Sequence, residues 1–255
     1  MNPLLTVKGL LVRFGGIVAL DDVTFEVQRG HICGIIGPNG SGKTTLFNCL
    51  SRLYRPAAGE IMFDGHALLR FPEHRIAHLG IGRTFQNVAL FRTLTVRDNV
   101  LVGAHSRRHG SFISDALRLP QVARDERRAS EQVIELLDLL GLARMAATIV
   151  SDLTFGSQKR VELARALAAQ PKLLLLDEPA AGLSHEEVQE LAALIVSIRD
   201  RLRTTILLVE HHMNLVMRIS DQVVALNFGR VIERGPPAQV QRHPEVIRAY
   251  LGSAA

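Results

Sequence analysis

The sequence predicts an α/β protein with a mostly parallel sheet at its core, an antiparallel β subdomain at the N-terminus and an α-helical subdomain inserted in the middle. Three observations carry that expectation. All-apolar runs such as "HICGIIG" and "KLLLLDEP" alternate with helical stretches, and strands apolar on both faces belong in parallel sheets covered by helices. Between Leu4 and Val27 the apolar residues Val7, Leu10, Val12 and Phe14, then Val23, Phe25 and Val27, follow the short period of half-buried strands. From Asn87 to Leu153 the texture turns helical, with a stripe of Val133, Leu136, Leu137 and Leu140 that ends at Gly141.

Taken in order, "HICGIIG" is expected as a buried strand and "GKTTLFNCLSRLYRP" as a helix stopped by Pro56. "GEIMFDGHALL" is expected as a hairpin turning at Asp64 and Gly65. Thr95, with Asp98 three residues on, is a capping-box-like start for the helix "VRDNVLVGAH". A helix over 157–169, a strand over 172–177, a helix over 185–202, a strand over 204–210 and a hairpin around "LNFGRVIERG" complete the chain. There is no internal repeat and no low-complexity linker.

At 255 residues the chain can form one large α/β domain or two small ones without disulfide staples. No apolar run reaches the ~18–20 residues of a membrane-spanning helix, and the start "MNPLLTVKGLLVRFGG" lacks the pattern of a secretory signal. Both features suggest a cytosolic chain. Cys33 and Cys49 are too few for a disulfide framework and lack metal-ligand spacing, so both are expected as reduced core thiols. The net charge is +5, with arginine clusters at Arg107 and Arg108 and at Arg124, Arg127 and Arg128. Acids at Asp125, Glu126 and Glu131 are interleaved, and no aromatic rings stand ready to stack on bases, so a solvated face is expected there rather than a nucleic-acid site.

"GPNGSGKT", Gly37, Pro38, Asn39, Gly40, Ser41, Gly42, Lys43 and Thr44, matches G-x-x-x-x-G-K-[ST] and lies between an expected strand and an expected helix. A triphosphate presents several anionic oxygens. The loop that holds it must therefore offer inward N–H groups at close range, which glycines permit and a helix N-terminus reinforces. In such a loop Lys43 reaches the β and γ phosphates, Thr44 ligates Mg²⁺ and Thr45 follows in the first turn.

"LLLLDEP" places Asp177 at the C-terminal end of a buried strand, where ligands of open α/β sheets bind, and Asp177 is expected to hold Mg²⁺. Glu178 beside it is costly by like-charge repulsion unless it has work to do, and polarising a water for attack on the γ phosphate is such work. "TTILLVEHHMN" is a second such strand. His211 and His212 point to opposite faces if both are in the strand, so only one should face a nucleotide and a zinc site is disfavoured. Gln86 in "GRTFQN" sits where the sheet region meets the helical insert, and Phe14 in "VRFGG" is open to two readings, core or a platform for a base.

The phosphate loop, Gln86, "LTFGSQKR" before "LLLLDEP" and then a strand-end histidine resemble, in order and spacing over nearly the whole chain, the ATP-binding cassette family of ATPases. The family signature is commonly Leu-Ser-Gly-Gly-Gln. Here Thr154 stands for the serine, Phe155 for the first glycine, Gly156 for the second and Ser157 for the glutamine. Thr154 keeps a hydroxyl, Gly156 keeps the close approach, and the helix N-terminus keeps its dipole, so anion binding survives while Ser157 loses the longer amide reach. The resemblance implies a P-loop NTPase core of RecA-like type in a single nucleotide-binding domain over 1–255, with core and β subdomain in 1–86 and 156–255 and the helical subdomain in 87–155.

It further implies that the phosphate loop of one subunit and the signature of another close over one ATP. Phe14 then falls at the adenine, Gln86 at the metal- and water-sensing loop that couples to the transport partner, Glu178 at the catalytic base and His211 at the γ-phosphate switch. Ser184 in "AAGLSH" departs from the aspartate common in the dimer-contact loop. "GRTFQNVALFRTLTVRDNVLVGAH", "DEPAAGLS", "VEHHMNLVMRISDQVVALNFGRVIERGPP" and "VIRAYLG" narrow the resemblance to the ATP-binding subunits of branched-chain amino acid uptake systems, a subgroup that also contains urea and short-amide importers. The implied partners are a second ATPase subunit, self copy or paralogue, integral membrane permease subunits and, indirectly, a periplasmic or extracellular substrate-binding protein, with no nucleic acid. The implied location is peripheral, at the cytoplasmic face of the cell membrane. Alternatives are the ATPase of a lipopolysaccharide-type exporter, a soluble cassette acting on nucleic acid or ribosomes, and a monomeric P-loop kinase or GTPase.

Overall fold

The computed structural model describes residues 2–84, 89–104 and 120–251. Its strands and α-helices run in the order β1 (Leu5–Phe14), β2 (Ile17–Val27), β3 (Ile32–Ile36), α1 (Lys43–Leu50), β4 (Ala58–Phe63), β5 (His66–Ala67), α2 (Ile76–Leu79) and β6 (Ile81–Arg83). Then come α3 (Val96–Ala104), α4 (Pro120–Leu139), α5 (Phe155–Ala168), β7 (Leu173–Asp177), α6 (His185–Leu202), β8 (Thr205–Val209) and α7 (Met213–Ile219). β9 (Gln222–Asn227), β10 (Arg230–Gly235), α8 (Pro237–Arg242) and α9 (Pro244–Leu251) close the described chain. The residues pack as two compact units, Met1–Arg83 with Lys172–Ala255, and Thr84–Pro171.

In the first unit a six-stranded sheet runs β10-β9-β3-β8-β7-β6, parallel from β9 to β6 with β10 antiparallel at the edge. The N-terminal segments form an antiparallel sheet, β2-β1-β4-β5. β3, β7 and β8 are buried at every position, which is why their sequences are apolar runs rather than alternating, interrupted only at Thr205 and Asp177 on the strand ends. Register pairs Ile35 with Val209 and Asp177 with Val209, so three strands stop at one edge of the sheet. The loop beyond Ile36, Glu178 and the segment past Val209 therefore all emerge on that edge.

The expected hairpin turn at Asp64 and Gly65 is present, with left-handed φ of 48° and 79°. α1 is shorter than expected. It ends at Leu50 because Arg52 turns left-handed at φ 64° and donates back to the Cys49 carbonyl; Pro56 constrains only the residue before it and does not set the helix end. Cys33 and Cys49 are buried and unbridged, as expected.

In the second unit α3 starts as the capping pattern predicts: the Asp98 N–H donates to Thr95 Oγ1 at 3.1 Å, and that hydroxyl donates to Asp98 Oδ2 at 2.6 Å. Asn99 is fully buried; its amide donates to the carbonyls of Phe91 and Thr95, and its oxygen accepts from the Phe91 N–H, which pins the segment before the helix. α5 begins two residues earlier than the sequence suggests, because Thr154 is its N-cap. Gly103 of α3 lies so close to α5 that a Cβ there would stand 2.0 Å from the Arg165 carbonyl. α5 thus belongs whole to this unit, whereas the sequence boundary at residue 155 cuts it at its first turn.

Candidate functional site

Gly37 follows β3 directly, and a Cβ on it would meet the Leu226 carbonyl at 2.3 Å, so the chain can pass there only as glycine. Gly42, left-handed at φ 102°, gives way to α1 and is equally closed: a Cβ there would stand 2.6 Å from Leu20 Cδ2 and 2.7 Å from the Ala19 carbonyl. Between them Ser41 is 1% exposed, and among the described residues its Oγ has no hydrogen-bond partner. A buried hydroxyl left unsatisfied marks a cradle shaped for an acceptor from outside the chain. Lys43 Nζ folds back onto the carbonyls of Gly37 at 2.8 Å and Pro38 at 2.9 Å. Burial pulls its pKa below the usual lysine value, and Glu178 and Asp177 oppose that pull. The expected loop residues Pro38, Asn39 and Gly40 complete the turn, Thr44 is exposed in the first turn of α1, and Thr45 is partly so.

At the same edge Asp177 is 5% exposed and its Oδ2 accepts from Arg83 Nη2 at 2.9 Å. Arg83 also donates to Asn48 Oδ1 and Ser51 Oγ, both at 2.9 Å, so β6, α1 and β7 meet at one guanidinium. Glu178 takes a left-handed φ of 48°, a conformation that costs a non-glycine residue about 1–3 kcal/mol and persists only where its surroundings impose it. Its N–H donates to the Val209 carbonyl at 2.9 Å, and its Oε1 lies 2.7 Å from His211 Nε2. β8 has already ended at Val209, so His211 reaches Glu178 from the following turn rather than by strand alternation. His212 is instead the residue before α7.

Phe14 is 46% exposed and stands edge-on to Tyr54, with ring centroids 5.1 Å apart, so it is not a core residue. Ser184 caps α6 in a full capping box with Glu187, a role that a serine fills as well as an aspartate does. In the second unit Thr154 caps α5 through the Ser157 N–H at 3.3 Å. Phe155 is 47% exposed with Lys159 Nζ 5.6 Å from its ring, and Gly156 lies in the first turn of α5. Gln86 lies outside the described residues.

Sequence reading missed Tyr54, Arg83 and Glu210. Tyr54 and Arg83 carry no local signal, since their partners are distant in the chain. Glu210 did carry one, because "ILLVE" repeats the pattern of "LLLLD", an acid ending a buried strand. It is 1% exposed, and its oxygens accept from the N–H groups of Ala180, His211 and His212.

A family model described as ABC transporter matches residues 20–181, which contain the phosphate loop, the α5 start and Asp177 with Glu178. This chain belongs to the ABC transporter family. A second model, described as branched-chain amino acid ATP-binding cassette transporter, matches residues 230–255 of this ABC protein. The high-affinity branched-chain amino acid transport ATP-binding protein LivG of Escherichia coli (strain K12) is 44% identical over 253 residues, 99% of each chain. Among solved structures, the ADP conformation of MJ1267, an ATP-binding cassette of an ABC transporter, matches at TM-score 0.85 and 27% identity over 99% of this chain and 100% of that one. A dimeric post-hydrolysis state of the ATP-binding cassette MJ0796 bound to ADP and Pi matches at TM-score 0.76 and 25% identity over 91% and 98%. The ABC chain is therefore a nucleotide-binding ATPase with a P-loop NTPase fold. Among its described residues no helix is long and apolar enough to cross a membrane.

Proposed function

We propose that the chain is the ATP-hydrolysing subunit of an importer for branched-chain amino acids, bound peripherally to permease subunits at the cytoplasmic face of the cell membrane. The observation that carries the hydrolytic reading is the approach of Glu178 Oε1 to His211 Nε2 at 2.7 Å on the sheet edge that bears the phosphate loop. The substrate reading is supported by the full-length similarity to LivG and by the C-terminal match over 230–255.

In this reading Lys43 leaves the Gly37 and Pro38 carbonyls for the β and γ phosphate oxygens, and the loop N–H groups with the Ser41 hydroxyl take up the rest of the anion. Phe14, with Tyr54 at its edge, stacks on the adenine. Glu178 accepts a proton from the attacking water as the γ-phosphoryl group leaves ADP, and His211 orients that carboxylate and contacts the γ phosphate. Thr44 and Asp177 offer the oxygen ligands a hard divalent cation requires, with Gln86 as the further candidate; among the described residues no cluster of three or more His, Cys, Asp or Glu competes for it. Bound there, Mg²⁺ would neutralise charge on the phosphate oxygens.

Thr154, Phe155, Gly156 and Ser157 face the nucleotide of a second cassette, paralogue or self copy, whose own signature covers this loop. The pairing of two cassettes is supported by the similarity to MJ0796, which is dimeric in its ADP- and Pi-bound structure. A periplasmic or extracellular substrate-binding protein acts at one remove, through the permease. The test is reconstitution with the copurifying permease in lipid vesicles. ATP-driven uptake of labelled leucine, isoleucine and valine is expected, and Glu178→Gln should abolish it. Uptake of urea or short amides instead would move the assignment to those importers.

A further inference from the structure

β7 and β8 end as register partners at Asp177 and Val209, and the two turns beyond them carry the hydrolytic pair. Backbone N–H groups in such turns have no strand to bond, and buried ones must find another acceptor. The Glu178 N–H uses the Val209 carbonyl at 2.9 Å. The donors of Ala180, His211 and His212 converge on one side chain: Glu210 Oε1 accepts from Ala180 at 2.7 Å, and Oε2 accepts from His211 at 3.0 Å and His212 at 3.3 Å. Glu210 is 1% exposed and Ala180 is fully buried. Among the described residues the buried carboxylate meets backbone N–H groups rather than a cation, an arrangement that stabilises the charge only while all three donors stay in place.

We propose that Glu210 is a positioning residue for ATP hydrolysis: one carboxylate binds the turn after Glu178 to the turn bearing His211 and so sets the distance between them. The inference rests on the roles proposed above for Glu178 and His211. Glu178 is the left-handed residue of its turn, held on one side by Val209 and on the other by Ala180, whose N–H reaches Glu210. Both anchors are consecutive residues at the end of β8, so the segment that carries His211 also dictates the backbone of Glu178. Glutamine at 210 would keep the size but turn an N–H₂ group toward one set of donors, releasing one turn from the other.

The experiment is steady-state ATP hydrolysis by the full chain assembled with its permease and second cassette in lipid vesicles. Glu210→Gln is expected to lower kcat about 10- to 100-fold, the effect of roughly 1 Å of misplacement, and to leave KM for ATP within about 3-fold. In a His211→Ala background the same change should cost less than about 3-fold, because the pair it positions is already gone. An unchanged kcat, or an equal loss in both backgrounds, would overturn the proposal. If Glu210→Gln does not fold, Glu210→Asp, which keeps the charge and shortens the reach, is read in the same way. Glu178→Gln in the same assay separates the two claims. A loss there with none at Glu210 overturns the positioning role alone, and no loss there overturns the hydrolytic reading and the positioning role with it.

Discussion

Arg83 Nη2 and Asp177 Oδ2 lie 2.9 Å apart with both side chains 10% exposed or less, although 94 residues separate them in the chain. The pair joins the strand leading toward Gln86 to the acid that ends β7. Arg83 also bonds Asn48 and Ser51 and lies over the Phe47 ring, 5.7 Å from its centroid. Removing one member of such a pair leaves the other charge buried, so Arg83→Ala should destabilise the chain by about 3–5 kcal/mol. Arg83→Lys should recover part of that, since a lysine restores charge but cannot bond Asp177, Asn48 and Ser51 together. Urea denaturation of the three proteins measures it, and equal midpoints would contradict the pair's structural weight.

Lys43 is held by two carbonyls of its own loop, with Glu178 and Asp177 acting on its charge. Its ammonium is thus kept at the loop and exchanges these carbonyls for phosphate oxygens in the proposed reading. Lys43→Ala should weaken ATP binding by about 1.5–3 kcal/mol, the usual worth of a hydrogen bond to a charged group. Titration with a fluorescent ATP analogue reads this directly. A matching drop in thermal stability is not expected, because the lost bonds go to loop carbonyls.

The exposed Phe14–Tyr54 pair leads to a different signature. Phe14→Ala should weaken nucleotide binding by ~1–3 kcal/mol while leaving kcat at saturating ATP within a factor of about two, as a stacking platform remote from the reacting phosphate should. A fall in kcat with unchanged KM would place Phe14 outside the adenine site.

The parts of this site that were legible in the sequence are those built from contiguous residues. Gly37 to Thr44 are contiguous, so the motif was legible in full, although the atoms that close on Gly37 and Gly42 include Leu226 and Leu20 from distant segments. β3, β7 and β8 were legible because burial on both faces leaves an unbroken apolar run. Relations between distant segments were not. Alternation assigns His211 to the face of Val209, yet the strand stops at Val209 and the turn, tied down by Glu210, delivers the imidazole to Glu178. Phe14 could not be assigned to core or surface because its neighbour Tyr54 comes from beyond the phosphate loop. The end of α1 was misplaced because a left-handed Arg52 leaves no compositional trace.

Cys33 on β3 and Cys49 in α1 are both fully buried, and burial pushes their thiols up to about 12 and about 11. Only the thiolate reacts with alkylating reagents. Neither residue should therefore be labelled by iodoacetamide in the native chain at pH 8, while both should react once the chain is unfolded in urea. Native labelling at Cys49 would mean that α1 opens on the timescale of the reaction.

Asp64, in the left-handed hairpin turn, pairs with Arg29 and with Lys172 Nζ at 2.5 Å, and those partners hold its carboxyl down to about 2 from the ordinary 3.8. A carboxyl depressed in the folded state stabilises the fold above its unfolded pKa and loses that contribution as pH falls toward the folded one. The window here runs from about 4 down to about 2. Arg29 and Lys172 are more than half exposed, so solvent screening limits the contribution to about 1 kcal/mol or less. Asp64→Asn keeps a residue that tolerates the left-handed turn and removes only the charge. Its stability deficit in urea titrations should be constant between pH 5 and 7 and should narrow below pH 4, with added salt shrinking it at neutral pH. A deficit that persists unchanged into acid would assign the role of Asp64 to the turn's backbone geometry rather than to its charge.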